Sequence, residues 1–330
     1  MSHTSSRRAR NRGHATEMTS MERVRSTLAG QDVDRVPFCV WHHFKPRNEP
    51  GALARETLMF FAQWGLDIFK VMPDIPYPYP DNSIHEPHDW YGLPSTASHD
   101  ATFGRMVDAV SLVRDAVDDD APVLITIFSP FTYAMKFAGK DRVLEHARDN
   151  PIELHHGLTV IAENLEDFGT ACIEAGADGV FLAAQGAGDG LLTPAQYGEF
   201  ARPYELAVLR ECSHGWLNTL HVHAASGLDI DPFLKYPVSA LSWSDRLTGI
   251  SLASVRAKAP ELCLMGGVSE RGPILSGTEN EILAEMRDAL AQTGGGERLI
   301  LANGCSIPND IDDARIRLAR EQVDKLGARR

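Results

Sequence analysis

The sequence lacks any run approaching the ~20 consecutive apolar residues that a membrane-spanning helix needs, so no span is expected. It also lacks a cysteine framework. Its five cysteines, Cys39, Cys172, Cys212, Cys263 and Cys305, are odd in number and scattered, which fits a reducing cytoplasm better than a disulfide-stapled fold. Positive charge is in short supply. Against 45 Asp and Glu there are 32 Lys and Arg, and the formal net charge of −13 argues against a nucleic-acid or anionic-membrane partner. The N-terminal stretch with Arg7, Arg8, Arg10 and Arg12 is basic but has no apolar core, so it is not a secretory signal. Residues 1–20 read as a disordered basic arm and residues 21–330 as the folded domain; a start at Met18 or Met21 would remove most of the arm. Gly294-Gly295-Gly296 lies between a helical stretch and an apolar run, the wrong order for a phosphate cradle, and reads as a turn.

What is present is an ordinary globular composition over 330 residues, 43% hydrophobic and 23% charged. Eight short apolar runs recur along it, at 36–43, 67–72, 122–128, 178–184, 216–223, 238–243, 261–265 and 298–305. Near-continuous apolar runs suit strands of a parallel sheet covered on its faces by helices. Helical stretches lie between them, at 20–28, 51–64, 141–175, 194–212, 251–258, 279–292 and 309–326. Thr193-Pro194-Ala195-Gln196 and Asn309-Asp310-Ile311-Asp312 have the composition of capped helix starts. The alternation predicts a single (β/α)₈ TIM barrel with an N-terminal helical extension, a fold that commonly spans this length as one domain.

In such a barrel the site lies at the C-terminal ends of the strands. The runs end on His42 and His43, Asp74, Ser129, Gln185, His221 and His223, Asp245 and Cys305. His221 and His223 are two apart, so on a strand they share a face. With Cys305 from the last run they make a three-ligand zinc site with one position open. The plainer alternative is that the histidines cap a strand and Cys305 is a small buried hydrophobe, which residue types alone would favour. Zinc there would hold a substrate thiolate or activate water. Asp245 would be a fourth ligand, a partner for a histidine N–H or a substrate contact, or else a cap paired with Arg246. Asp74 would be a general acid/base or bind a cationic or pyrrole-like N–H, or else cap a turn. Of the adjacent histidines only one would face inward, and His42 is taken as that one. Tyr133 and Gln185 are candidate substrate contacts. The long Pro-rich stretch 73–94 carries Tyr77, Tyr79, His85, His88, Trp90 and Tyr91 and would line a pocket, Tyr77 included, or form a rigid flap.

The order of motifs resembles the uroporphyrinogen decarboxylase superfamily over roughly residues 20–328. The carriers are Val71-Met72-Pro73-Asp74-Ile75, Ser129-Pro130-Phe131-Thr132-Tyr133, and Leu192-Thr193-Pro194 with Phe200-Ala201-Arg202-Pro203-Tyr204. They continue with His221-Val222-His223, Gly266-Gly267-Val268 and Gly304-Cys305-Ser306-Ile307-Pro308. The resemblance implies a (β/α)₈ barrel, often dimeric. It offers two activities: decarboxylation in the haem pathway, and zinc-dependent methyl transfer between a corrinoid protein and a thiol. The decarboxylases' arginine-bearing segment after the first strand corresponds to Trp41-His42-His43-Phe44-Lys45-Pro46-Arg47, which lacks most of that basic apparatus. Their catalytic aspartate matches Asp74; their tyrosine falls near Lys136 and their C-terminal histidine at Cys305, two departures. The methyltransferases' His-x-Cys and Gly-Cys ligands match His221 and Cys305, with His223 replacing a cysteine and making the site harder.

The expectation is therefore a cytoplasmic, homodimeric, zinc-dependent methyltransferase that moves a methyl group between a corrinoid or other donor and a thiol. The corrinoid would ride on a partner protein. The alternative is a metal-free decarboxylase of a small aromatic or pyrrolic acid, with Asp74 stabilising a protonated ring. A third class is a non-catalytic barrel that binds a small ligand or corrinoid.

Overall fold

The computed structural model describes residues 17–45, 49–99 and 101–327. Eight strands follow one another: β1 Phe38–Cys39, β2 Phe69–Val71, β3 Val123–Phe128, β4 Gly179–Ala184, β5 Thr219–Val222, β6 Ala240–Trp243, β7 Cys263–Val268 and β8 Leu299–Asn303. All recorded pairings are parallel, in the order β1-β8-β7-β6-β5-β4-β3-β2. The sheet curls into the expected (β/α)₈ barrel, with helices outside it. Asp67 bridges the β1–β2 seam: its N–H donates to Phe38 O (2.9 Å) and its carboxylate accepts from Phe38 N–H (2.8 Å). Arg23 and Arg35 supply the counter-charge for that buried carboxylate, so the N-terminal helix Ser20–Leu28 is tied to the barrel floor.

The strands are shorter than the apolar runs. The run 36–43 forms only two strand residues; Val40–His43 continue past the strand end as irregular backbone that brings Trp41 and His43 to the cavity. The expected helix 141–175 is two helices, Lys140–Asp149 and Pro151–Glu174, since Pro151 disfavours helical backbone at Asn150, whose φ is −139°. The stretch 194–212 likewise breaks at Ala201, before Arg202-Pro203. Thr193 and Gln196 form the expected capping box; in the last helix the cap is Asp312. The helices Ala101–Val117 and Pro130–Ala138 were not foreseen. Residues 1–16 of the arm lie outside the described residues. Its end is tied down: Met18 N–H donates to Asp34, Thr19 caps the first helix, and Ser20 begins it.

The stretch 73–94 is a packed flap. Trp90 is fully buried, its indole N–H donating to His146 Nδ1 at 2.9 Å. A Cβ on Gly157 would sit 2.4 Å from the Trp90 ring, so the flap docks on the helix Pro151–Glu174 through a position open only to glycine. Its aromatic side chains face the helices, which corrects the expectation that they line a pocket. Among the described residues no helix is long and apolar enough to cross a membrane.

Candidate functional site

A cavity of about 160 Å³ opens at the C-terminal end of the barrel. It is lined by Trp41, His43, Lys70, Met72, Thr126, Phe128, Phe181, Ala183, Gln185, His221, His223, Cys305 and Ser306. Strand register explains the assembly. Ala183, His221 and Ser242 are lateral partners on β4, β5 and β6. His223 lies one residue beyond β5, its N–H still donating to Ala184 O at 2.8 Å, so the extended backbone carries both imidazoles to the same side. Cys305 follows β8 through Gly304. A Cβ on Gly304 would fall 2.6 Å from Ser244 Cα, so glycine is what lets this turn bring the thiol inward.

His221, His223 and Cys305 offer ligand atoms that all lie within 4.8 Å of one another, the one such group of three among the described residues. Cys305 Sγ is 3.3 Å from His223 Nδ1. Tetrahedral zinc bonds of about 2.1 Å to nitrogen and 2.3 Å to sulfur place such atoms ~3.6 Å apart, so the donor set and its spacing fit zinc. His221 Nδ1 pairs with Ser242 Oγ at 3.2 Å. With Nδ1 as donor, Nε2 is left with its lone pair for a metal. Burial, with His223 and Lys70 adding to it, holds the His221 pKa well below 6.5, so the imidazole is neutral, as a ligand must be. Burial raises the Cys305 thiol above 9.0, the Ser306 N–H opposing it; only a cation would make it a thiolate at neutral pH. Ser242→Ala should weaken zinc binding ~10-fold or more, read by competition with a chromophoric chelator. An unchanged affinity would mean that the hydroxyl does not orient the ring.

A second unit stands at the rim. His43 Nδ1 pairs with Asp74 Oδ1 at 2.6 Å, Phe44 N–H donates to Asp74 Oδ2 at 2.7 Å, and His43 N–H donates to Asn309 at 3.1 Å. Asp74 thus reaches the cavity through His43. The inward histidine is His43. His42 turns away, its ring packed edge-on to Phe44 and Phe60 and its Nδ1 on His43 O, which corrects the expectation for that pair.

Gln185 lines the cavity, as expected of a contact residue. Tyr133, Tyr77 and Asp245 do not. Tyr133 packs edge-on behind Phe128, 5.8 Å between centroids. Tyr77 packs tilted against Tyr133, 4.6 Å between centroids, and accepts from Asn164 Nδ2 at 2.8 Å. Asp245 accepts from Gly267 N–H at 2.9 Å and lies 3.3 Å from Arg246. Burial pushes its carboxyl up to about 6, and its role is to hold β7 to the helix start after β6. Lys70 was missed. It is 1% exposed in the middle of β2, and the signal was legible: one lysine inside the run Asp67-Ile68-Phe69-Lys70-Val71-Met72. A strand buried on both faces has no solvent side for an ammonium, so such a lysine has to point into the barrel.

Fold and site together define a (β/α)₈ barrel with a His/His/Cys cluster and a His–Asp pair in one cavity at the strand C-termini. A sequence model of the family described as Uroporphyrinogen decarboxylase (URO-D) matches residues 58–326, and the chain belongs to that family. Its relatives fall on both sides. Uroporphyrinogen decarboxylase of Hydrogenovibrio crunogenus is 35% identical over 118 residues, 34% of this chain and 32% of that protein. That of Tolumonas auensis is 25% identical over 68% of this chain and 64% of its own. The chain therefore spans less than two thirds of either decarboxylase. Methylcobamide:CoM methyltransferase MtaA of Methanosarcina barkeri strain Fusaro is 23% identical over 88% of this chain and 94% of its own. Among solved structures, a methyltransferase from Methanosarcina mazei has the same fold, with a TM-score of 0.77 at 20% identity over 94% of this chain and 99% of its own. The family and these relatives are enzymes, methyltransferases and decarboxylases.

Proposed function

We propose that this protein is a zinc-dependent methyltransferase that moves a methyl group from a donor, such as a methylated corrinoid on a partner protein, to a small thiol. The observation that carries the reading is the joint placement of His221, His223 and Cys305 in one small cavity. Its volume of about 160 Å³ is close to the ~150 Å³ that holds a benzene ring. A tetrapyrrole does not fit inside it, and a small thiol does.

His221, His223 and Cys305 would hold the metal. Bound zinc would lower the pKa of a thiol at its open position, making thiolate available at neutral pH. His43 would take the thiol proton: the Asp74 carboxylate accepts from Nδ1 and leaves Nε2 as the acceptor. Trp41, Phe128 and Phe181 limit water around the sulfur. The sulfur lone pair then forms the new S–CH₃ bond, and the electrons of the broken bond stay with the donor.

The cavity also favours a second reading, decarboxylation of a small aromatic acid, because its walls are aromatic and its volume suits one ring. The two separate experimentally. Zinc-loaded protein is incubated with methylcobalamin and a panel of small thiols, and thioether is measured by mass spectrometry. Thioether formed only with zinc supports methyl transfer. No thioether from any thiol, with carbon dioxide released from benzoic or pyrrole carboxylic acids by metal-free protein, overturns it in favour of the second.

A further inference from the structure

One charged group in the cavity is used neither by the ligating cluster nor by the His43–Asp74 pair. Lys70 Nζ donates to Thr126 Oγ1 at 2.7 Å and lies 3.2 Å from Met72 Sδ. The rings of Phe181 and Trp41 lie 4.0 and 4.9 Å from it. Among the described residues no carboxylate makes an ion pair with it. Ring faces and one hydroxyl replace only part of the hydration an ammonium loses on burial, and an unpaired buried charge is costly. Burial accordingly draws its pKa down from 10.5 to about 7.

We propose that Lys70 and Thr126 form an anion subsite, and that the small molecule bound in this cavity carries an acidic oxyanion group, such as a carboxylate, in addition to the atom that meets the ligating cluster. That this second atom is a thiol sulfur rests on the function proposed above; the oxyanion subsite rests on Lys70 and Thr126 alone. The ammonium and the hydroxyl would both donate to the oxyanion, and Phe181 and Trp41 would keep water from it.

The test is calorimetric binding with three probes. Zinc-loaded wild type should bind 3-mercaptopropionate at least ~10-fold more tightly than 1-butanethiol, the scale of one charge-assisted hydrogen bond. Lys70→Met should erase that preference, and Thr126→Val should reduce it. Metal-free wild type should still bind butyrate, and metal-free Lys70→Met should not. No acid preference in wild type, or the same preference in Lys70→Met with its fold intact by circular dichroism, would overturn the subsite. Lys70-dependent butyrate binding without any methyl transfer would keep the subsite and sink only the methyltransferase reading. Methylation of thiols without an acid preference would do the reverse.

Discussion

Cys305→Ala should lower zinc affinity by more than ~100-fold and abolish zinc-dependent methyl transfer, while leaving the fold intact. Loss of a partner behind a metal ligand already costs about 10–100-fold. Cys305 is itself a ligand candidate and the only one of the three whose side chain can bind the metal as an anion. Without it two neutral imidazoles face the cation, and nothing in the cluster offsets its charge. The structural cost is small. Cys305 follows β8 on a partly exposed turn, so removing one sulfur should cost about 1 kcal/mol. Elemental analysis beside circular dichroism checks this: about one zinc per wild-type chain, almost none in the variant, and superimposable spectra. If the variant keeps its zinc, Cys305 is not a ligand. If it loses zinc but keeps full methyl transfer, the transfer does not depend on the metal.

The second large effect runs opposite to intuition: Lys70→Met should stabilise the metal-free protein, by roughly 2–4 kcal/mol at pH 7. The sign follows from proton linkage. Above pH 10.5 neither the folded nor the unfolded chain protonates Lys70, and burial carries no electrostatic penalty. Between 10.5 and about 7 only the unfolded chain takes the proton, so stability falls as pH falls. Below about 7 both states are charged, and the accumulated penalty of up to about 5 kcal/mol no longer changes. Methionine removes this penalty and nearly conserves volume, while Thr126 loses its 2.7 Å donor, which returns ~1–2 kcal/mol. Urea unfolding at pH 7 and pH 9.5 reads it: the variant's advantage should all but vanish at the higher pH, where the remaining penalty of about 1.4 kcal/mol is offset by the lost Thr126 hydrogen bond. A destabilised variant at pH 7 would mean that the ammonium is held favourably by Phe181, Trp41 and Thr126. A stabilising loss at a cavity residue is the pattern expected where a site stores cost for function.

Much of the architecture was legible from local pattern. Eight short apolar runs became eight parallel strands, because a residue buried on both faces of a covered sheet has to be apolar wherever the strand runs. The pairing of His221 with His223 was equally local, since two-residue periodicity needs no tertiary information. Cys305 could be joined to them because the barrel brings every strand end to one rim, and the motif order resembles a family that uses those positions.

Other features follow from contacts that no local pattern carries. His43, not His42, faces inward because β1 ends at Cys39 and the following backbone is clamped by Asp74 from after β2 and Asn309 from after β8. The flap 73–94 turns its aromatic groups outward because Gly157, on a distant helix, leaves room for Trp90. Ser242 orients His221 only because β5 and β6 align those two residues. The charge of Lys70 was plain in the chain, but its environment of two rings, a hydroxyl and no carboxylate depends on side chains from four different segments. Periodicity along the chain set which residues turn inward; register, seam closure and packing across it settled which of them meet.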